Sequence, residues 1–120
     1  MRAATQVGTL RDEMQAIIRD HPDYSGAYGF LGYFYYRAPW PWGNRDEAMK
    51  MFRQGLARAP RDTGMRVGLA RTLIDKDLAD DARAELQRVL AEKAPRNLAD
   101  WTLRDAPDAR KLLESLPAGR

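Results

Sequence analysis

The chain has 120 residues, with 20 Lys and Arg against 17 Asp and Glu, a net charge of +3, and 44% hydrophobic residues. That length supports one hydrophobic core and not two, and the interleaving of basic with acidic residues excludes the clustered Lys/Arg surface of a dedicated nucleic-acid binder. The absence of cysteine excludes disulfides, thiolate metal sites and thiol nucleophiles, and no stretch approaches the roughly 18 apolar residues that a membrane span needs.

Residues 1–10 lack the apolar segment of a secretory signal. The expected compartment is therefore the cytoplasm as the sequence stands, or the periplasm if a leader has been removed. In chain order, Thr9 followed by Asp12 and Glu13 predicts a helix start, with a capping hydroxyl and acids facing the positive end of the dipole. Leu10, Met14, Ile17 and Ile18 fall on one face, and Pro22 closes the segment. Asp23 or Ser25 is the expected cap of a second helix, carrying Ala27, Tyr28, Phe30, Leu31 and Tyr35 up to about Arg37.

Pro39 and Pro41 stop that helix, since neither has an amide hydrogen and each restricts the residue before it. Asn44 with Glu47 has the spacing of a capping box, ahead of a stripe of Ala48, Met49, Phe52 and Leu56 that Pro60 ends. Asp62 or Thr63 opens a helix with Val67, Leu69, Ala70, Leu73 and Ile74, and Asp77 is expected to cap another with Ala82, Leu86, Val89 and Leu90, ended by Pro95. Asn97 predicts a short helix with Leu98, Trp101 and Leu103, and Asp105 with Pro107 a last one carrying Leu112, Leu113 and Leu116. Every stripe has a period near 3.6 and none alternates, so the fold class is all-α.

The stripes also repeat. Leu10, Met14, Ile17, Ile18 and Pro22 share the offsets of Ala48, Phe52, Gly55, Leu56 and Pro60, and Ala82, Leu86, Val89 and Leu90 repeat them; from Ala48 to Ala82 the period is 34 residues. The preceding helices align as well, Tyr28, Leu31, Gly32 and Tyr35 against Arg66, Leu69, Ala70 and Leu73.

On these residues the chain resembles tetratricopeptide repeats (TPR): Tyr28, Leu31, Gly32, Tyr35, Ala48, Phe52, Gly55 and Pro60 occupy the signature places of the first full repeat. The resemblance implies an antiparallel helix-hairpin solenoid in a single domain over 1–120. Residues 9–22 form a half repeat that acts as an N-terminal cap, 25–60 the first repeat with an enlarged turn, 63–95 the second, and 97–116 the C-terminal capping helices. Two departures stand out: extra residues at the turn Ala38 to Gly43, and Arg66 where the family has a large aromatic. A finer likeness, carried by the Pro-Trp-x-x-Gly-Asn turn, a late Trp and a terminal Asp-Ala-Arg-x-Leu-Leu helix, is to small bacterial repeat proteins. Some of these are similar to periplasmic partners of TRAP-type solute transporters.

The family's groove, lined by successive first helices, implies recognition of a protein or peptide partner through Gly29, Tyr33, Tyr36 and Arg37 from the first repeat and Val67, Arg71, Ile74 and Asp75 from the second. In this reading Arg71 grips a carboxylate. The two-carboxylate clamp of the family has Lys, Asn and Arg at positions where Gly29, Tyr33, Val67 and Arg71 stand here, which argues against chaperone-tail binding. Trp40 and Trp42 either fold over the helix ends, the favoured reading, or form a docking loop.

His21-Pro22-Asp23 matches the tripeptide of J-domain co-chaperones, but that fold needs a further helix upstream, and Pro22 already serves as the repeat-closing proline. With one His and no Cys, no nucleophile and base constellation stands out, and Asp80-Asp81 and Asp12-Glu13 are explained by the helix dipole. No enzyme activity, cofactor, metal, nucleic acid or membrane insertion is expected. The alternatives are a self-association module that completes its half repeat in a homo-oligomer, and a transporter-associated ligand binder.

Overall fold

The structure, a computed structural model, describes residues 2–118; side-chain placement is described for residue 6 and from residue 8 onward. Helices are the regular elements among these residues: α1 (Arg2–Asp20), α2 (Ser25–Arg37), α3 (Arg45–Arg58), α4 (Thr63–Asp75), α5 (Ala79–Ala91), a short α6 (Leu98–Asp100), a π turn (Trp101–Asp105) and α7 (Ala106–Ser115). The fold is all-α, as expected, and the molecule is a short array of 43 × 29 × 23 Å.

Several helix starts follow from local chemistry. Asn44 accepts from the Glu47 amide at 3.1 Å, Asp62 from the Met65 amide at 3.0 Å and Asn97 from the Asp100 amide at 2.9 Å. Each of these side chains satisfies an amide that the first helical turn leaves without a partner. The Asn44 amide itself donates to the Tyr35 carbonyl at 2.9 Å, which ties the enlarged turn back onto α2.

Other expected starts are corrected. α1 begins at Arg2, so Thr9 lies inside the helix and does not cap it. Tyr24 is the N-cap of α2 without a side-chain bond, and neither Asp23 nor Ser25 fills that place. Asp77 adopts a left-handed backbone with φ 60 in the turn before α5, whose N-cap is Leu78; a short polar side chain tolerates that region. Asp105 stands at the N-cap of α7 with Pro107 in its first turn, as expected, but its backbone is helical and its side chain makes no cap bond. Leu98 to Ser115 therefore runs on as continuous helical backbone with the π turn just ahead of Pro107. Proline donates no amide and its ring crowds the preceding turn, and a widened turn relieves both.

α2 packs on α3 and α4 on α5 as antiparallel hairpins, α3 joins the hairpins to each other, α1 lies along α2, and α7 lies along α5. The core runs through Ala48, Phe52, Leu69, Ala70, Leu73, Ala82, Leu86 and Val89, reaching Ala109 of α7. Phe52 is fully buried between two glycines: a Cβ on Gly32 would lie 2.6 Å from its ring, and one on Gly68 2.5 Å. These are the close approaches that let α2 and α4 both pack on α3.

Candidate functional site

Successive first helices touch along one side of the array, α2 against α4 and α4 against the π turn of the C-terminal helix. Between them lies a cavity of about 640 Å³ walled by Gly29, Phe30, Tyr33, Phe34 and Met65, with Arg37 and Arg104 at its edges. A second cavity of about 320 Å³ continues it, lined by Val67, Arg71, Asp105 and Asp108 and sharing Tyr33, Arg37, Gly64 and Arg104 with the first. The two form one trough with Tyr33 at the join.

Tyr33 is fixed from several directions. Its hydroxyl donates to the Gly64 carbonyl at 2.6 Å, its ring meets Phe52 edge-on at 4.9 Å, and the Arg37 guanidinium lies 4.6 Å from the ring centroid. Burial, and then the nearby Asp105 carboxylate, push its pKa up to about 12, against the opposing pull of Arg37, Arg104 and Arg71. At pH 7 it is therefore a neutral, oriented floor.

The charged groups around the trough are mostly paired. Arg71 reaches Asp108 at 3.3 Å, and Arg104 bonds Asp105 at 3.0 Å and lies 3.6 Å from Asp100. Asp105 is 2% exposed and also accepts from the Thr63 hydroxyl at 2.8 Å. Its bond to Arg104 raises the pKa of that guanidinium further. Arg37 is exposed, and among the described residues its ring contact with Tyr33 is accompanied by no ion pair.

Of the residues expected to line the groove, the structure brings together Gly29, Tyr33, Arg37, Val67 and Arg71. It does not bring Tyr36, Ile74 and Asp75 into either cavity. Tyr36 lies under the Arg45 guanidinium at 4.8 Å, Arg45 pairs with Asp75 at 3.1 Å, and Ile74 packs on the core. Burial first, then Asp75, raise the Tyr36 pKa. These three sit on the side of α2 and α4 that turns toward α3. The carboxylate grip assigned to Arg71 is already made internally, by Asp108.

The trough also contains residues outside the expected groove. Phe30, expected in a helix stripe, is 41% exposed and lines its wall. Phe34 and Met65 complete the apolar wall, and Arg104, Asp105 and Asp108 come from a segment expected only to cap the array. A signal for the last group was present: Asn97 follows Pro95 as Asp62 follows Pro60, the place where another first helix begins.

The aromatic turn differs from the favoured reading. Trp40 is 89% exposed and covers nothing, whereas Trp42 is half-buried and its amide donates to the Pro39 carbonyl at 2.9 Å. The Pro22 carbonyl accepts from the Tyr28 hydroxyl at 2.9 Å and from Arg58, so the His21-Pro22-Asp23 turn is held by the repeat around it.

Among the described residues no cluster of carboxylates or histidine has the arrangement of a metal site, and no helix is long and apolar enough to cross a membrane. No curated protein and no solved structure matches the chain. The tetratricopeptide repeat family model matches residues 43–103, just over half of the sequence, running from the start of α3 through α4 and α5 into the C-terminal helix. With the paired helices and the glycine-seated Phe52, that match shows that the chain belongs to the tetratricopeptide repeat family, whose helical arrays are protein-interaction scaffolds and typically non-catalytic.

Proposed function

We propose that the protein captures a segment of a partner protein in the trough between α2, α4 and the C-terminal helix, without catalysis. The observation that carries this reading is the 640 Å³ cavity with an apolar wall of Phe30, Phe34 and Met65, open to solvent beside an oriented tyrosine and two arginines. Aromatic and arginine side chains around a concave apolar surface are the groups that dominate recognition energetics. Gly29 lets α2 pack closely on the Met65 wall of the cavity, because a Cβ there would press on the Met65 side chain at 3.2 Å.

The test is to pan a displayed library of short peptides on the protein and rebind the enriched peptides to Phe30→Asp. Phe30 is exposed enough to be replaced without loss of fold, which circular dichroism checks. Binding that falls by tenfold or more, on the order expected for removing a buried apolar anchor, supports the trough. Undiminished binding by a folded Phe30→Asp protein contradicts it.

A further inference from the structure

Resting on the trough as the binding site, we infer that in the protein on its own the trough takes the Trp40 indole of a second copy, each copy lending its indole to the other in a two-fold dimer. Trp40 is 89% exposed, although tryptophan is on average a well-buried residue. It stands one residue beyond Pro39, which with Ala38 lines the end of the 640 Å³ cavity. Its turn is fixed: the Trp42 and Gly43 amides donate to the Pro39 carbonyl at 2.9 and 3.1 Å, and the Asn44 amide donates to the Tyr35 carbonyl. The indole is therefore held clear of the cavity in its own chain, and a fixed turn loses little freedom on docking.

A projecting apolar ring and an open apolar cavity side by side on one face close under a two-fold axis, because each copy's indole then meets the other's cavity; on opposite faces they would build an open chain. An indole joins Phe30, Phe34 and Met65 as a further apolar ring, and the cavity volume is in the range that encloses a small ligand. Charge favours a second copy over a charged partner. Asp62, Asp100, Asp105 and Asp108 balance the arginines of the trough, so the face meets its own image without the penalty of like charges. One indole buries about 150–250 Å², and two with the walls they cover come to roughly 600–1,000 Å², below the standard size of a stable interface. The dimer is accordingly weak, and a bound partner segment displaces it.

The test is sedimentation equilibrium of the whole chain from about 10 μM to about 1 mM, with circular dichroism as the check on fold. The expected mass rises from monomer toward dimer and no further, with half-association on the order of 100 μM. Trp40→Ser removes the ring and Phe30→Asp makes the cavity polar, and each is expected to weaken association by about tenfold or more. NMR then locates the contact. As the native protein is concentrated, the amides of Gly29, Tyr33 and Gly64 and the Trp40 indole N–H are expected to shift together. In isotope-labelled Trp40→Ser the same trough amides are expected to shift when unlabelled Phe30→Asp is added, since that copy still carries the indole, and to stay in place when unlabelled Trp40→Ser is added.

Three results overturn the inference: a monomeric mass throughout the range; a dimer that Trp40→Ser leaves intact, which puts the contact elsewhere, such as on α1; or masses that climb past the dimer, the mark of open head-to-tail pairing. The failure of this inference and that of the capture reading are separate. Peptides selected from the displayed library are expected to dissociate the native dimer and to bind monomeric Trp40→Ser at least as tightly as the native protein. If they shift the trough amides of a native protein that is monomeric at every concentration, the exchange of indoles fails and capture stands. If no selected peptide shifts those amides even in Trp40→Ser, where no indole competes, capture itself fails.

Discussion

At the scale of single residues, Phe52 is the point on which the packing turns. It is fully buried, with Gly32 and Gly68 against its ring and Tyr33 at its edge. Gly68→Ala is expected to lower stability by about 1–3 kcal/mol in urea unfolding, the usual cost of overpacking a filled core. The new Cβ would sit 2.5 Å from the Phe52 ring and 2.9 Å from that of Tyr33. Tyr33 supplies a pH prediction. Its pKa rises from 10.0 to about 12 in the fold, so its stabilising contribution is complete below pH 10 and is lost as the pH rises toward 12, where the unfolded chain ionises first. Stability is expected to fall by roughly 2 kcal/mol more across that window in the native protein than in Tyr33→Phe.

Much at this scale was legible. Gly32, Ala48 and Phe52 were identifiable as repeat core from their offsets, and Tyr33 and Arg37 as a separate face of α2. Tyr36 was misplaced because it stands three residues from Tyr33, close enough in angle to share a face on paper. In the structure its ring lies under the Arg45 guanidinium, which pairs with Asp75.

At the scale of elements, caps decide where helices begin. Asn44→Ala is expected to cost about 1 kcal/mol, measurable by thermal or denaturant unfolding, since Asn44 alone holds the Glu47 amide while its own amide anchors the turn to Tyr35. The C-terminal helix is attached differently. The buried Asp105 carboxylate receives the Thr63 hydroxyl and Arg104, and the Trp101 indole donates to the Val89 carbonyl at 2.7 Å. Asp105→Ala is expected to destabilise by about 1–3 kcal/mol by stranding the Thr63 hydroxyl. Amide hydrogen exchange is expected to quicken first in Trp101–Ser115 and only later in α4.

The caps at Asn44, Asp62 and Asn97 could be read because a side-chain acceptor three residues before an amide is a local device. The Asp105 latch could not, because its partner Thr63 lies far away in sequence and only the completed packing brings them together. The continuity of the C-terminal helix was hidden for a similar reason: Asp105 and Pro107 have the pattern of a helix start, and Pro107 does stand in the first turn of α7, but the π turn before it joins that helix to Leu98–Asp100 without a break.

At the scale of the whole molecule, a quasi-one-dimensional array depends on its ends. α7 covers α5, and Ala106 and Ala109 are buried there. Ending the chain after Pro95 is expected to remove cooperative unfolding, seen as a broad, shallow urea transition, by exposing Leu86 and Val89. The solenoid itself was legible from the recurring stripes, because burying one face of each helix imposes the same spacing on every repeat. The third wall of the trough was less so, since the same C-terminal segment that covers α5 also places Arg104, Asp105 and Asp108 opposite α2.

The most direct test of the trough is the map of backbone amide shifts when the protein is titrated with a peptide selected for binding. The structure predicts shifts concentrated at Gly29, Phe30, Tyr33, Arg37, Gly64, Met65 and Arg104, with α3 and α5 little changed. Shifts concentrated on the outer faces of α3 and α5, or on the Trp40 turn with the trough unmoved, would contradict it.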